Sequence, residues 1–207
     1  MKRRDFIAST AAFAALPVAA NAFDETISRE PPVPEYLKPE IINVRGKIGP
    51  NEIHVIPDHY ALYWTLPDGK AIRYYVGVGK DKLYEHGTFY VGAKKAWPGW
   101  RPTDEMIARD PGSYKRFEDG MPGGPNNPLG ARAIYLFYPG RGDSFLRIHG
   151  TNLPRTIGFD VSNGCARLVN RHIVDLYARV PLYSKVVLHP KGRLEKKPIV
   201  RIIKKEA

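Results

Sequence analysis

The sequence predicts a mainly β domain, a sandwich or barrel of strands, with one helix following its single cysteine. Three observations point there. Apolar residues alternate with polar ones along several short runs, the pattern of strands with one buried face. Those runs are punctuated by Gly, Pro, Asn and Asp, which supply turns. Only one stretch after the cysteine carries a clear 3.6-residue repeat, so strands dominate and a packed β architecture follows.

In chain order, "NEIHVIPDHYALYWTLPDGKAIRYYVGVGK" (51–80) places alternating residues on both sides of Asp68-Gly69, a hairpin signal. "GTFYVG" (87–92) is a further short strand. Residues 93–130 lack periodicity and are rich in Pro, Gly, Trp and charge. A connection of that length is expected to be a functional loop or flap. "RAIYLFY" (132–138), "FLRIH" (145–149) and 184–188 are the remaining strands. Asn170 is expected to cap a helix over 171–179, whose Ile173, Val174, Leu176 and Tyr177 share a face with Val180, and Val180-Pro181 ends it.

The ends read differently. Residues 1–22 combine a basic start (Lys2, Arg3, Arg4), an alanine-rich apolar run and Ala20-Asn21-Ala22, the layout of an export signal, with the paired arginines resembling a twin-arginine leader. The run is too short and too weakly apolar for a membrane span, so no transmembrane segment is expected once the signal is removed. Residues 23–50 read as a proline-rich arm or linker, 51–190 as one domain, and 191–207 as a basic, solvated tail. This layout places the protein in the periplasm or cell envelope.

The chain carries 32 Lys and Arg against 21 Asp and Glu, a net charge of +11. Without residues 1–22, which hold three basic residues and one acid, 29 basic and 20 acidic residues leave +9, and for an exported protein that charge suits an acidic cell-wall polymer or a lipid surface. Nucleic acid is not an expected partner, because no motif interleaves aromatics with the basic residues.

Cys165 is the only cysteine. An exported chain with one thiol has no internal disulfide and keeps the residue either as a buried hydrophobe or for its chemistry. His149 lies at the end of a strand, with fifteen residues between it and Cys165. The intervening loop is long enough to bring the two side chains together. A cysteine nucleophile reacts as thiolate and needs a base or cation nearby, so a depressed thiol pKa is expected of an active pair. Gly164 lets the backbone approach a substrate and lets the amides of Gly164 and Cys165 converge as an oxyanion hole. Taken by itself, a Cys-His pair at this spacing leaves a structural cysteine equally open. His54, His59, His86, His172 and His189 show no metal-ligand spacing and are expected in structural or solvated roles. No metal and no cofactor is called for. Trp97, Trp100 and Tyr114 fit either a groove lining or loop packing.

"HGTNLPRTIGFDVSNGCARL" (149–168) resembles the signature of the L,D-transpeptidase catalytic-domain family. That signature is a His-Gly-Thr, a linker with Ile-Gly, then Ser-His-Gly-Cys with an apolar residue and Arg. "GGPNNPLGARAIYLFY" (123–138), "YYVGVGK" (74–80) and "GTFYVG" resemble further family segments, and the likeness spans about residues 51–190. The resemblance implies a β-sandwich with a helix beside the site. It implies an exported enzyme acting on peptidoglycan stem peptides through a cysteine thioester, with a stem peptide, a protein, a D-amino acid or water as acyl acceptor. Cys165 would be the nucleophile and His149 the base, oriented by the Gly150 carbonyl. Gly164 and Cys165 would supply oxyanion amides, and Arg167 would hold the site or a substrate carboxylate. Ser162 and Thr151 match motif positions. The family's motif histidine is Asn163 here. Asn163 cannot carry a proton but can donate a hydrogen bond, which is expected to go to the oxyanion. Two rivals remain: an amidase or carboxypeptidase on the same fold, and a non-catalytic peptidoglycan-binding domain whose site has decayed.

Overall fold

The computed structural model describes residues 24–44, 46 and 48–192. The expected export signal and nearly all of the basic tail lie outside these residues. Among the described residues there are eleven strands: β1 (Glu40–Asn43), β2 (Ile53–Ile56), β3 (Ala61–Leu66), β4 (Lys70–Tyr75), β5 (Val78–Gly79), β6 (Gly87–Ala96), β7 (Arg132–Tyr138), β8 (Gly142–His149), β9 (Asp160–Ser162), β10 (Ala166–Arg167) and β11 (Lys185–Leu188). Nine form one mixed sheet in the order β1-β4-β3-β2-β11-β6-β7-β8-β10, and β5 pairs with β9. Gly77, just past β4, bridges to Arg167 in β10, so the far end of the nine-stranded sheet returns to its beginning. The β fold expected from the sequence is therefore present, curled in the barrel-like sense. Among the described residues no helix is long and apolar enough to cross a membrane.

Period-two alternation explains which side each residue takes. Val55, Leu62, Trp64, Tyr74, Phe89, Val91, Ile134, Leu136, Leu146, Ile148 and Val186 point into one core. Each such aliphatic or aromatic side chain contributes about 1.5–3 kcal/mol on burial. The β3–β4 hairpin turns where expected, with Asp68 and Gly69 at φ 62° and 67°. Two helices, α1 (Asp104–Arg109) and α2 (Pro111–Tyr114), lie in the long connection between β6 and β7, and α3 (Asn170–Arg179) follows the cysteine. In α3 the buried Ile173 and Leu176 face the core. Lys94 Nζ donates to the carbonyls of Tyr177 and Val180 at 2.6 Å each, placing a cation on the negative end of the helix.

Two sequence expectations are corrected here. Asn170 is not a side-chain cap: α3 begins at Asn170 itself, with Val169 at the N-cap and no capping side-chain bond. The Asn170 carboxamide works over longer range. Its Oδ1 accepts from the amides of Ala131 (2.9 Å) and Thr151 (3.3 Å), and its Nδ2 donates to Glu30 (2.7 Å). The segment 23–50 is not wholly irregular either. Glu40–Asn43 pairs antiparallel with β4, because the open edge of that strand supplies ladder partners that the local sequence does not reveal. Farther upstream, Asp24 bonds Arg132 (2.7 Å) and the Trp97 indole (3.0 Å), so the arm is docked on the domain.

Candidate active site

Strand β10 runs parallel to β8, with Ala166 opposite Ile148 and Arg167 opposite His149. Leu146, Ile148, Ala166 and Leu168 are buried core residues. Alternation therefore assigns Arg147, His149 and Arg167 to the other face, and Cys165, just before β10, takes a hydrogen bond from the Arg147 amide and lies near Arg167. Sequence distance between the histidine and the cysteine disappears because one strand pairing replaces it.

His149 is 4% exposed. Its Nδ1 lies 2.6 Å from the Gly150 carbonyl oxygen. A carbonyl can only accept, so Nδ1 carries the hydrogen and Nε2 keeps a lone pair. Burial, aided by the positive charges of Arg167 and Arg147 and opposed by the Gly150 bond, pushes the imidazole pKa down to about 3. The ring is a neutral base at any physiological pH.

Cys165 is half-buried and free. Burial pushes its thiol above the ordinary range, outweighing a hydrogen bond from the Arg147 amide and the charges of Arg147 and Arg167. This corrects the expectation of a depressed thiol. Both groups rest neutral, thiol and imidazole alike, because burial removes water from each.

Gly164, at φ +116°, makes the turn that presents Cys165. A side chain there would start 2.9 Å from the Leu83 carbonyl oxygen and 3.1 Å from Leu146 Cδ2. Ser162 Oγ donates to the Cys165 carbonyl at 2.5 Å and closes the same turn. Among the described residues, the Gly164 and Cys165 amides donate to no carbonyl. Thr151 is buried, and its Oγ1 accepts from the Leu153 amide (3.0 Å), ordering the loop after His149.

Arg167 is fixed by two backbone bonds of 2.9 Å to Gly77, one in each direction. A Cβ on Gly77 would meet the Arg167 Cγ at 3.0 Å, so that glycine makes room for the arginine stem. Its guanidinium is desolvated, which lowers its pKa, while Cys165 and Tyr114 act in the opposite sense. The Nε is buried without a partner. Asn163 is engaged by the β6–β7 connection. Its Nδ2 donates to Tyr114 Oη at 2.8 Å, and its Oδ1 accepts from Arg109 Nη2 at 2.7 Å.

Arg147 and Arg109 escaped the sequence reading. Arg147 lies two residues before His149 and so on the same strand face, a signal that period-two counting would have found. Its guanidinium is held bidentate by Asp143 (2.6 and 2.8 Å) over the Tyr135 ring, and its backbone amide donates to the Cys165 sulfur. Arg109 comes from a stretch without periodicity and gave no signal. Among the described residues, no three His, Cys, Asp or Glu side chains gather as metal ligands.

Residues 50–188 match the YkuD family, the L,D-transpeptidase catalytic domain. A probable L,D-transpeptidase, YbiS of Escherichia coli K12, is 40% identical over 109 residues, which cover 53% of this chain and 33% of YbiS. The chain thus spans about a third of the length of that relative. A putative L,D-transpeptidase of Fuscovulum blasticum is 35% identical over 160 residues, covering 69% of this chain and 79% of that protein. Among solved structures, a Brucella melitensis protein named as a probable carnitine operon oxidoreductase is 44% identical with a TM-score of 0.51, covering 76% of this chain and 94% of its own. An Enterococcus faecium L,D-transpeptidase superposes with a TM-score of 0.51 at 16% identity, covering 69% of this chain and 50% of its own, and shares the fold. The matched span runs from before β2 to the end of β11 and holds both His149 and Cys165, and the chain belongs to the L,D-transpeptidase catalytic-domain family.

Proposed function

We propose that the protein is an exported cysteine acyltransferase of the cell envelope that acts on peptidoglycan stem peptides. One observation carries the reading: His149 has its Nδ1 committed to Gly150 and its Nε2 free, at the end of the strand that pairs with the two residues directly after Cys165. That is the arrangement a thiol needs when it is not ionised at rest.

The Cys165 sulfur attacks the donor carbonyl carbon as its proton passes to His149 Nε2. The developing oxyanion lies against the Gly164 and Cys165 amides, whose donors no protein carbonyl occupies among the described residues. Collapse breaks the peptide bond, the leaving amine takes the proton from His149, and a thioester remains. An acceptor amine then gives a proton to His149, attacks the thioester and releases the thiol. Arg167, with a buried unpartnered Nε, supplies a cation for a substrate carboxylate. The acceptor is a second stem peptide, an envelope protein or a D-amino acid; with water the same site is a carboxypeptidase. Residues 1–22 direct export, and the net charge of +9 on the remaining chain (29 basic and 20 acidic residues) favours the anionic wall.

Mass spectrometry of tetrapeptide muropeptides incubated with residues 23–207 tests this. Cross-linked dimers or trimmed tripeptides are expected, and their absence with Cys165→Ala. Wild-type protein that leaves the muropeptides unchanged but co-sediments with peptidoglycan would establish the binding-domain rival.

A further inference from the structure

Residues 101–119 form an arm with its own scaffolding and no core. Thr103 Oγ1 caps α1 by accepting from the Met106 amide (3.2 Å), and Asp110 caps α2 by accepting from the Ser113 amide (3.1 Å). Arg101 spans the arm to the Glu118 carbonyl (2.7 Å). Trp100 packs edge-on against Tyr114 and Phe117, with centroids 6.3 and 5.8 Å apart, and pairs with Met121 at the base. Neither α1 nor α2 contributes a buried residue.

Apart from the Trp100 contacts and the buried Pro102, the arm is seated by polar contacts. Among the described residues, the side-chain hydrogen bonds that join 101–119 to the rest of the protein beyond its own connection both end on Asn163. Arg109 is the last residue of α1 and Tyr114 the last of α2. A carboxamide presents an acceptor and a donor at one tip, so a single side chain grips both helices. Asn163 stands two residues before Cys165 in the same turn. Tyr114 in turn lies near enough to Arg167 to influence its charge.

We infer that Asn163 is a positioning residue, a latch that seats the 101–119 arm against the Cys165 site so that Tyr114 and Arg109 form one wall of the substrate cleft. Of the five guanidinium donors of Arg109, one is spent on Asn163, which leaves others for an anionic group of a peptide donor. The departure from the motif histidine then changes what the position does, and Asn163 holds a wall instead of handling a proton. The cleft role rests on the acyltransferase reading; the latch does not.

The test has two arms. Hydrogen–deuterium exchange of peptides covering 101–119, and the rate of Cys165 alkylation by iodoacetamide, are compared for wild type, Asn163→Ala, Tyr114→Phe and Arg109→Ala. Asn163→Ala removes both bonds and is expected to speed exchange in the arm roughly 5- to 30-fold, with alkylation rising alongside. Tyr114→Phe and Arg109→Ala each remove one bond from unburied helices and are expected to give smaller increases while the fold is kept. Exchange and alkylation equal to wild type in all three variants overturn the latch. In the second arm, KM for a tetrapeptide donor is expected to rise roughly 5-fold in Tyr114→Phe and Arg109→Ala while kcat holds. A fall in kcat at constant KM overturns the cleft wall. Loosened exchange in the variants of a protein that turns over no muropeptide refutes the acyltransferase reading and leaves the latch standing.

Discussion

The His149 Nδ1 donates to the carbonyl of its own neighbour, Gly150, at 2.6 Å, and this one contact sets the tautomer on which the site depends. It commits one ring nitrogen and aims the other. It does so through the backbone, so the ring needs no acidic partner, and the charge of Glu85 adds to burial in holding the thiol up. With the imidazole pushed down to about 3 and the Cys165 thiol pushed up by burial, the pair does not rest as an ion pair. In the proposed mechanism, charge separates only when an oxyanion forms to receive part of it.

Removing His149 should therefore separate turnover from thiol ionisation. His149→Ala is expected to lower turnover roughly 100- to 10,000-fold, the scale of losing a general base. His86→Ala and His172→Ala should cost far less. The pH midpoint for Cys165 alkylation is expected to stay alkaline, above the ordinary thiol value of about 8.5, in wild type and His149→Ala alike. Turnover and alkylation are read on the same preparations. A wild-type midpoint below neutrality that moves up on removing His149 would show a resting ion pair and contradict the neutral assignment.

The buried histidines also set the response to acid. Burial lowers His149 to about 3 and His172 to about 4, the latter against the pull of Asp175, and His54 is lowered for the same reason. Each folded value lies below the unfolded value of about 6.5. Above that pH neither state is protonated and no penalty arises. Below it the unfolded chain takes up protons that the folded chain refuses, so stability falls as pH drops from 6.5 toward 4. The loss is about 1.4 kcal/mol per histidine for each pH unit, or about 4 kcal/mol at pH 5 from His149 and His172 together. Asp24, held down by its bond to Arg132, adds a loss in the same direction only at lower pH. Urea unfolding at pH 7.5, 6 and 5 measures this, and His172→Gln should flatten the dependence by roughly half of that amount. Equal stability at pH 7.5 and 5 would be inconsistent with burial of these rings as neutral species.

The sequence disclosed what is local. Alternation located β3, β4, β7 and the end of β8; Asp68-Gly69 located their first hairpin; Ile173 and Leu176 located α3. The motif around Cys165 named residues that the fold places on two adjoining strands, β8 and β10, and on the turn before β10. What stayed hidden depends on partners far along the chain. Asn170 looks like a helix cap because a polar residue before an amphipathic run satisfies the local rule, yet the amides of Ala131 and Thr151 claim its oxygen. Arg109 reaches Asn163 across 54 residues, with no periodicity to announce it. The direction of the thiol shift is set by the tertiary fold, since a short motif shows the cations near Cys165 but not the loss of water that outweighs them.

Gly164 gives the last expectation, because two separate costs of a side chain there can be told apart. At φ +116° a methyl group is strained whatever surrounds it, by about 1–3 kcal/mol. At this position it would also start 2.9 Å from the Leu83 carbonyl oxygen, a backbone atom that cannot swing aside, and 3.1 Å from Leu146. Gly140 provides the comparison: its φ is also positive, at +71°, but nothing lies within 4 Å of a Cβ built there. Gly140→Ala should carry the conformational cost alone, lower the melting temperature by about 2–4 °C per kcal/mol, and leave turnover unchanged. Gly164→Ala should melt lower than Gly140→Ala and should lose turnover as well, since the turn that carries the Cys165 sulfur and the two amides must move to admit the methyl. Thermal melts and muropeptide turnover on the two variants decide it. Equal melting of the two, with Gly164→Ala still active, would mean that the turn yields freely and that its geometry does not hold the site.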